Sequence, residues 1–472
     1  MNKLIIFFCC LFFSTNEKTP KTDSQTIPKN MIHKVDSVVI EPISDGQIYN
    51  AQVLESVFKK LKENENNGNQ KINIVHIGDS HIQGDLMTNE VRKKLQQQFG
   101  NGGRGLVFPY QLAKTNGSYN ERFYSNRAWE SYRNIYPVKN NPIGICGIGL
   151  WRETGGFAVQ LQVKDLAYKF NTIRIITPHN QNMFDLATSS QTNIIQSTER
   201  KVITHKIKKG EAISTIADKY NVSVIEIKKA NGLKSNNIRA GRTLKIPTNE
   251  MKPKTIKSSA FVPLDIQADA FSHHYYSEKS LDRIYLLPNN EASKFELNGI
   301  VLEKDAPGLI YSSIGVNGAK YSDYNKYPLF FEQLNALHPD LLVFSLGTNE
   351  SYEKLESRDY IKHLREFISN IKAQNINVPI IVMTPPPSLL RKRPNTYIKD
   401  YTKEIIEIAQ TDGFAVWDLY DEFGGMDGIR KLKTQGLIGP DWVHYSKKGY
   451  EKQGNLFAQA VLKAYDNFKS KN

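Results

Sequence analysis

The sequence predicts an α/β protein built on a doubly wound parallel sheet. Short apolar runs, typical of buried parallel strands, end in tight polar turns, and segments with helical spacing follow them. Three of these strand ends are Gly78-Asp79-Ser80, Asn317-Gly318-Ala319 and Gly347-Thr348-Asn349. Because open α/β sheets place their reactive groups at the carboxyl ends of strands, these turns are expected to meet at one edge.

The expected strands alternate with helical segments along the chain. They are Ile72 to Ile77, Leu309 to Val316, Asp340 to Leu346, Ile380 to Met383 and Ala415 to Leu419. A helical stretch follows the first strand at Asp85 to Phe99, and another runs from Ser446 to the C-terminus. This alternation predicts helices on both faces of the sheet.

The size and composition are those of a globular protein with more than one domain. At 472 residues, the chain exceeds the length at which one hydrophobic core stops growing, so two or three domains are expected. It is 40% hydrophobic and 23% charged, and no internal stretch has the apolar length of a membrane span. A transmembrane protein is therefore not indicated.

The N-terminus predicts export. Residues 1–14 combine Lys3 with the apolar run Leu4 to Phe13, which favours a secretory signal peptide over a buried strand or a short membrane anchor. We expect the mature protein in the periplasm or at the cell surface. Cys9 and Cys10 leave lipid anchoring as an alternative, although the residues before them are not small.

The segment after the signal peptide is expected to be a leader followed by the first helix. It covers residues 15–70, and its first part is rich in polar residues and Pro. Once the signal is removed, Cys146 is the only thiol, so the mature chain has no intrachain disulfide and no cysteine metal site.

Positive charge is concentrated in one short segment. The net charge is +14, and residues 204–247 hold ten Lys and Arg against three acidic residues. A nucleic-acid site needs stacking aromatics or a groove-reading helix beside such charge, and Tyr220 is the only aromatic there. The charge distribution therefore does not indicate a nucleic-acid partner.

The strand ends and the last loop supply the groups of a serine esterase. Ser80 opens a helix, and Asp441 and His444 lie three residues apart, so the carboxylate can orient the imidazole towards the serine. The Gly318 N–H and the Asn349 amide are candidate donors to an oxyanion. Taken singly, each of these residues could equally be a turn, cap or surface residue.

Together these residues resemble the SGNH hydrolases, also called the GDSL family, whose four blocks carry Ser, Gly, Asn and an Asp-x-x-His pair. The matching positions are Ser80, Gly318, Asn349, Asp441 and His444. The resemblance implies a flavodoxin-like three-layer α/β/α hydrolase domain formed by residues 71–104 and 306–472. It implies a carboxylic ester hydrolase with the triad Ser80, His444 and Asp441 and an oxyanion hole of Ser80, Gly318 and Asn349, without metal or cofactor.

An insertion separates the first two blocks. About 240 positions lie between Ser80 and Gly318, where one βαβ unit needs roughly 30. Within this gap, residues 204–247 have a strand, helix, helix, strand pattern and resemble a LysM module, with Lys208-Lys209-Gly210 and Ala230-Asn231-Gly232-Leu233 as turns. LysM modules bind glycans that contain N-acetylglucosamine, such as peptidoglycan. In this family the groove is formed by two loops, here Gly210, Glu211, Ala212, Ile213, Asn236, Asn237, Ile238 and Arg239.

The sequences that flank this module predict one β-rich domain, split by the module. They cover residues 105–201 and 249–305, although two unrelated extensions are an alternative. Gly102-Gly103-Arg104-Gly105, together with the first two blocks, resembles the peptidoglycan O-acetylesterases, whose inserted domain is similar to a carbohydrate-binding module. Trp129 and Trp151 could stack on sugars there or simply belong to the core.

The sequence thus favours an exported esterase that removes O-acetyl groups from peptidoglycan. An O-acetyltransferase or a deacetylase of another polysaccharide would use the same groups, and a cell-wall-binding protein without catalysis is an alternative of another class. His76 and His81 flank the nucleophile and receive no role. The oligomeric state is not indicated.

Overall fold

The computed structural model describes residues 46–138, 141–191, 195, 198–253 and 256–471. The predicted signal peptide, with the two cysteines considered for lipid attachment, lies outside the described residues. Within these ranges, no helix combines the length and apolarity needed to cross a bilayer.

The β-strands are short, and most belong to three sheets. In chain order they are β1 (Ile48–Tyr49), β2 (Lys71–Gly78), β3 (Asn101–Val107), β4 (Glu121–Ser125), β5 (Glu130–Arg133), β6 (Ile148–Arg152), β7 (Val159–Val163), β8 (Phe170–Ile176), β9 (Phe184–Thr188), β10 (Thr198–Lys206), β11 (Thr243–Pro253), β12 (Val262–Leu264), β13 (Gln267–Ala268), β14 (His273–Leu281), β15 (Arg283–Pro288), β16 (Phe295–Leu297), β17 (Gly299–Glu303), β18 (Gly308–Gly315), β19 (Leu341–Ser345), β20 (Ile380–Met383), β21 (Leu389–Leu390), β22 (Arg393–Pro394) and β23 (Ala415–Trp417).

The α-helices lie mainly in the C-terminal half. In chain order they are α1 (Glu55–Asn67), α2 (Ser80–Gln83), α3 (Leu86–Phe99), α4 (Ile213–Lys219), α5 (Val224–Asn231), α6 (Tyr321–Asn325), α7 (Pro328–Leu334), α8 (Thr348–Tyr352), α9 (Ser357–Lys372), α10 (Thr396–Asp412), α11 (Leu419–Glu422), α12 (Gly425–Thr434) and α13 (Lys447–Lys471).

The predicted parallel sheet is confirmed. Its strands lie in the order β23-β20-β19-β2-β18-β3, and all five neighbouring pairs are parallel. Chain order reverses at β2, because β18 and β3 lie on one side of it and β19, β20 and β23 on the other. The carboxyl ends of β2, β18 and β19 therefore meet at the switch point, where doubly wound sheets bind their ligands.

Helices cover both faces of this sheet. On one face, α1, α3 and α13 pack around Phe58, Leu95 and Phe457, in a core that also contains Trp417. On the other face, α6, α7, α9 and α10 pack around Phe330 and other buried side chains. Burial of the sheet on both faces explains the apolar runs that form β19, β20 and β23.

The insert does not form a sheet wholly of its own. Beyond β3, the central sheet continues through the antiparallel strands β17, β8, β14 and β13, which the sequence assigned to the inserted domain. Strand β3, which spans the expected boundary at residue 105, pairs with β18 on one side and β17 on the other. The domain boundaries stay a prediction, but the hydrolase sheet and the insert share backbone hydrogen bonds.

The two flanks of the LysM segment pair with each other. A five-stranded sheet has the order β12-β9-β15-β7-β4, in which β12 and β15 come from the second flank and the other three strands from the first. A smaller sheet joins β16 to β6 and β5. Trp129 is 4% exposed and packs against Phe157, so it is a core residue, whereas the partly buried Trp151 stacks on Tyr132.

The LysM segment has the predicted strand, helix, helix, strand order. Strands β10 and β11 pair antiparallel as a two-stranded sheet, and α4 and α5 lie between them in the chain. Its own small core contains Ile213, Ile216, Ala217, Ile227, Leu244 and Ile246.

Candidate active site

Ser80 lies at the turn between β2 and α2. Asp79 forms the N-cap of the helix, and its Oδ1 accepts a hydrogen bond from the His81 N–H at 2.9 Å. A Cβ at Gly78 would lie 2.4 Å from Ile82 Cγ1, so only glycine permits this close packing of strand and helix. The tripeptide thus holds the serine at the carboxyl edge of the sheet.

The structure brings Ser80, His444 and Asp441 together. Ser80 Oγ lies 2.9 Å from His444 Nε2, and His444 Nδ1 lies 2.7 Å from Asp441 Oδ2. With Nδ1 protonated, the ring donates to the carboxylate, and its Nε2 is oriented to accept from the serine hydroxyl. The side chains of His444 and Asp441 are 47% and 44% exposed, so a polymeric ester can reach them.

Backbone hydrogen bonds to Asp441 fix the loop that carries Asp441 and His444. Asp441 Oδ1 accepts the N–H groups of Val443 and His444, each at 3.0 Å. Partial burial acts to raise the pKa of Asp441, but hydrogen bonds from the His444 ring and from these N–H groups outweigh it and lower the pKa. Asp441 is therefore anionic when it faces the imidazole.

Three candidate oxyanion donors face the same edge. Within the described residues, the N–H groups of Ser80 and Gly318 have no hydrogen-bond acceptor. Gly318 has φ +86°, a left-handed conformation that favours glycine at this turn. The Asn349 amide donates to Asp79 Oδ2 at 3.1 Å and to Ala319 O at 3.0 Å, so donation to a substrate requires sharing or replacing one of these bonds.

Two buried acids lie behind the donors. Burial raises the pKa of Asp79 to about 7, although the hydrogen bond from the His81 N–H and the nearby His444 act to lower it. Burial also raises the pKa of Glu350 to about 8, and nearby Asp79 adds to this shift. The Oε1 atom of Glu350 accepts the Tyr321 N–H at 2.9 Å, whereas its Oε2 has no partner among the described residues.

A buried network holds the turn before Gly318. Gln83 is 2% exposed, and its Oε1 accepts the Asn317 backbone N–H at 2.6 Å. Its amide donates to Asn116 O at 2.7 Å and to Thr115 Oγ1 at 3.0 Å, both in the insert. Gln83 was not predicted as a site residue from the sequence, although its position three residues after Ser80 on the same short helix could have indicated it.

The two histidines without an assigned role are buried. His76 contacts the Tyr311 hydroxyl at 2.8 Å and Ser345 Oγ at 2.6 Å, and His81 Nδ1 contacts the Tyr450 hydroxyl at 3.0 Å. Burial lowers the pKa of each to about 3, with His444 adding to the shift at His81. Both are neutral packing residues near the site.

Backbone hydrogen bonds join the segments that flank the two predicted LysM loops. The Ile207 N–H donates to Arg242 O, and the Gly241 N–H donates to Ile207 O, both at 2.8 Å, which joins the turn after β10 to the segment before β11. The polar and small residues of these loops are exposed or partly exposed, but Ile213 is 4% exposed in the module core. Its side chain is thus unavailable to a glycan, and only its backbone can contribute to a groove.

The described residues contain no group of three or more His, Cys, Asp or Glu side chains arranged to hold a metal ion. The thiol of Cys146 is buried and free, and burial raises its pKa.

Two family models match the chain. Residues 301–452 match the GDSL-like lipase/acylhydrolase family, and residues 205–247 match the LysM domain. The chain thus contains a region of the GDSL-like lipase/acylhydrolase type and a LysM domain, and the first of these supports a carboxylic ester hydrolase. The first match includes Gly318, Asn349, Asp441 and His444. Ser80 lies outside it, directly after β2, which pairs with β18 in the same sheet.

The fold is shared with a solved peptidoglycan O-acetylesterase. That structure aligns over 90% of this chain and 99% of its own, with 19% identity and a TM-score of 0.57, so the two chains have the same overall fold. A lipase/acylhydrolase from Enterococcus faecalis covers 33% of this chain and 76% of its own (22% identity, TM-score 0.26). An acetyl xylan esterase covers 32% and 81% (18% identity, TM-score 0.28). No curated protein matches the chain.

Proposed function

We propose that this protein is an exported esterase that removes O-acetyl groups from the muramic acid of peptidoglycan. The observation that carries the proposal is the 2.9 Å approach of Ser80 Oγ to His444 Nε2, in a chain that also holds a LysM domain. The fold shared with a peptidoglycan O-acetylesterase over nearly the whole chain supports the same substrate class. The LysM domain and the insert would hold the glycan, so that binding energy from remote sugars positions the ester.

The reaction proceeds by acyl transfer to serine. Ser80 Oγ attacks the acetyl carbonyl while His444 Nε2 takes its proton, and Asp441 stabilises the imidazolium that forms. The sugar hydroxyl leaves with the proton from His444. Water, deprotonated by the same imidazole, then releases acetate and restores Ser80.

The oxyanion of each tetrahedral intermediate would be bound by the N–H groups of Ser80 and Gly318 and by the Asn349 amide. The first two donors have no acceptor within the described chain, which supports this role. The Asn349 amide must share or exchange one of its hydrogen bonds to Asp79 and Ala319 to donate to the substrate. The negative charge that develops on the substrate oxygen favours that exchange.

The test is acetate release from O-acetylated peptidoglycan by the wild type and by Ser80→Ala. We expect the wild type to release acetate and the variant to lose nearly all activity while still sedimenting with the polymer. If the wild type hydrolyses p-nitrophenyl acetate but releases no acetate from peptidoglycan, the substrate assignment is wrong. If Ser80→Ala keeps its activity, the assignment of the nucleophile is wrong.

A further inference from the structure

A short hairpin with three positive charges stands at the edge of the candidate active site. It is formed by β21 and β22, in which Leu389 pairs with Pro394 and Leu390 with Arg393. The side chains of Arg391, Lys392 and Arg393 are exposed. Within the described residues, none of the three forms an ion pair.

Both ends of the hairpin are attached to the site. On one side, the Leu389 N–H donates to Trp442 O at 2.9 Å, and the Tyr445 hydroxyl donates to Pro387 O at 2.8 Å, which joins the hairpin to the loop of Asp441 and His444. On the other side, the Asn395 amide donates to Ser351 Oγ at 2.9 Å, on the helix that carries Asn349. The hairpin therefore connects the loop of His444 to the helix of Asn349.

The turn of this hairpin contains residues that its backbone does not favour. Arg391 and Lys392 have φ +51° and +66°, and such a two-residue turn is usually Asn-Gly because most residues other than Gly, Asn and Asp are strained at positive φ. Strain that persists beside an active site points to a functional reason for the residues that bear it. Here those residues present two of the three cations.

A fourth cation lies next to the same loop. Lys433 Nζ donates to Gly439 O at 3.0 Å and lies 5.1 Å from the centre of the Trp442 ring. Trp442 itself has φ +61° and directly follows Asp441. Positive charge is thus gathered around the triad loop from two separate elements.

We propose that Arg391, Lys392 and Arg393 bind carboxylate groups of a polymeric acetylated substrate and so place its ester at Ser80. Arginine suits this task because its guanidinium can donate two parallel hydrogen bonds to one carboxylate. The preferred substrate is therefore an anionic glycan or glycopeptide rather than a neutral acetylated polysaccharide. This subsite deepens the proposed function and rests on its ester hydrolysis at Ser80.

The experiment compares wild type with the triple variant Arg391→Gln, Lys392→Gln, Arg393→Gln. A matched control, Arg358→Gln, Lys362→Gln, Lys372→Gln, removes three exposed cations from α9. Acetate release is measured on acetylated polygalacturonate, on neutral acetylated xylan and on O-acetylated peptidoglycan, with p-nitrophenyl acetate as the reference ester. Binding of Ser80→Ala to polygalacturonate, with and without the hairpin substitutions, is measured in parallel.

We expect the ratio of kcat/KM on polygalacturonate to that on p-nitrophenyl acetate to fall about five- to tenfold in the hairpin variant, and less at high salt. The control should keep the wild-type ratio. The inference would be overturned if kcat/KM fell equally on xylan and on polygalacturonate. It would also be overturned if the hairpin variant kept both the wild-type ratio of kcat/KM values and the wild-type binding to polygalacturonate. If the wild type turns over neither polysaccharide, the binding measurement decides: weaker binding through the hairpin substitutions supports the subsite, and unchanged binding rejects it.

Failure of the proposed function gives a different pattern. In that case the wild type releases no acetate from peptidoglycan, while the hairpin variant still loses rate or binding on polygalacturonate. If instead wild type and hairpin variant release acetate from peptidoglycan and polygalacturonate equally well, the subsite is wrong and the proposed function stands.

Discussion

The backbone N–H of Asn317 donates to Gln83 Oε1 at 2.6 Å, and this bond fixes the turn that presents Gly318. The Asn317 side chain reinforces it, since its amide donates to Asn116 Oδ1 at 2.7 Å. Gln83 is thus a positioning residue that links the helix of the candidate nucleophile, the turn of a candidate donor and a loop of the insert.

Replacing Gln83 with leucine should lower kcat. The substitution leaves the Asn317 N–H without its acceptor, so the Gly318 N–H is no longer held towards the oxyanion. Loss of a whole donor costs about 10²- to 10³-fold, and misplacement should cost about tenfold or more. The measurement is kcat and KM on p-nitrophenyl acetate, with Gln98→Leu, an exposed glutamine on α3, as the control. A raised KM with unchanged kcat would show that Gln83 acts on substrate binding instead.

Replacing Asp441 with asparagine should remove most activity without unfolding the protein. Asp441 is nearly half exposed, so the substitution leaves no buried charge unpaired, but the imidazolium at His444 loses its anionic partner. The expected loss in kcat is about 10³-fold or more, by analogy with serine hydrolase triads in general. Thermal unfolding should stay close to that of wild type and of Asp466→Asn, an exposed control on α13. Activity within tenfold of wild type would contradict the role of Asp441.

Replacing Glu350 with glutamine should change the pH dependence of stability. In the folded state the pKa of Glu350 is raised to about 8, whereas the unfolded chain releases this proton near the ordinary value of 4.5. The folded state therefore holds the extra proton between these values, and wild-type stability falls as pH rises from about 4.5 to about 8. Glutamine is neutral at every pH, so Glu350→Gln avoids the cost of ionising this buried side chain. The variant should therefore be more stable than wild type at pH 9, by about 2–4 kcal/mol at most.

Urea unfolding at pH 5, 7 and 9 provides the measurement for this change. The advantage of Glu350→Gln should be largest at pH 9 and nearly absent at pH 5. Glu366→Gln, on the exposed face of α9, should track wild type at all three pH values. A difference from wild type that does not vary with pH would mean that Glu350 is ionised in the folded protein.

Removing the LysM segment should separate glycan retention from ester hydrolysis. Val202 and Pro247 face each other across β10 and β11, so an Asn-Gly turn can join them in place of residues 203–246. This excision removes every buried side chain of the LysM core, so no part of that core is left exposed to solvent. We expect retention on insoluble peptidoglycan to fall severalfold, while kcat/KM on p-nitrophenyl acetate changes less than twofold. Undiminished retention would show that the insert or the hydrolase domain carries the binding.

The groups of the candidate site could be predicted from sequence because each lies in a short local pattern. Ser80, Gly318 and Asn349 follow apolar strands, and Asp441 and His444 share one loop, so strand ends alone indicate where they meet. The structure places all of them at one edge. Gln83 escaped notice because its partners, Asn116 and Asn317, are distant in sequence and carry no motif.

The course of the sheet could not be predicted either. The apolar positions of β8, β14 and β17 would suit a separate β-domain equally well. Strands pair through backbone groups, so their sequences do not indicate that they extend the central sheet. The hairpin of Arg391 was missed for a related reason. Its left-handed backbone and its attachment to Trp442 are long-range features that the run Arg391-Lys392-Arg393 does not encode by itself.

The insert and the LysM domain differ in how they could have been acquired. The LysM domain enters and leaves through two paired strands, so it can be exchanged or lost as a cassette. The antiparallel strands that extend the central sheet cannot, because their removal would strip β3 of its partner β17 and expose a long sheet edge to aggregation. To change specificity, the LysM domain should therefore be exchanged at the paired strands β10 and β11, and the insert should be altered only by point substitution.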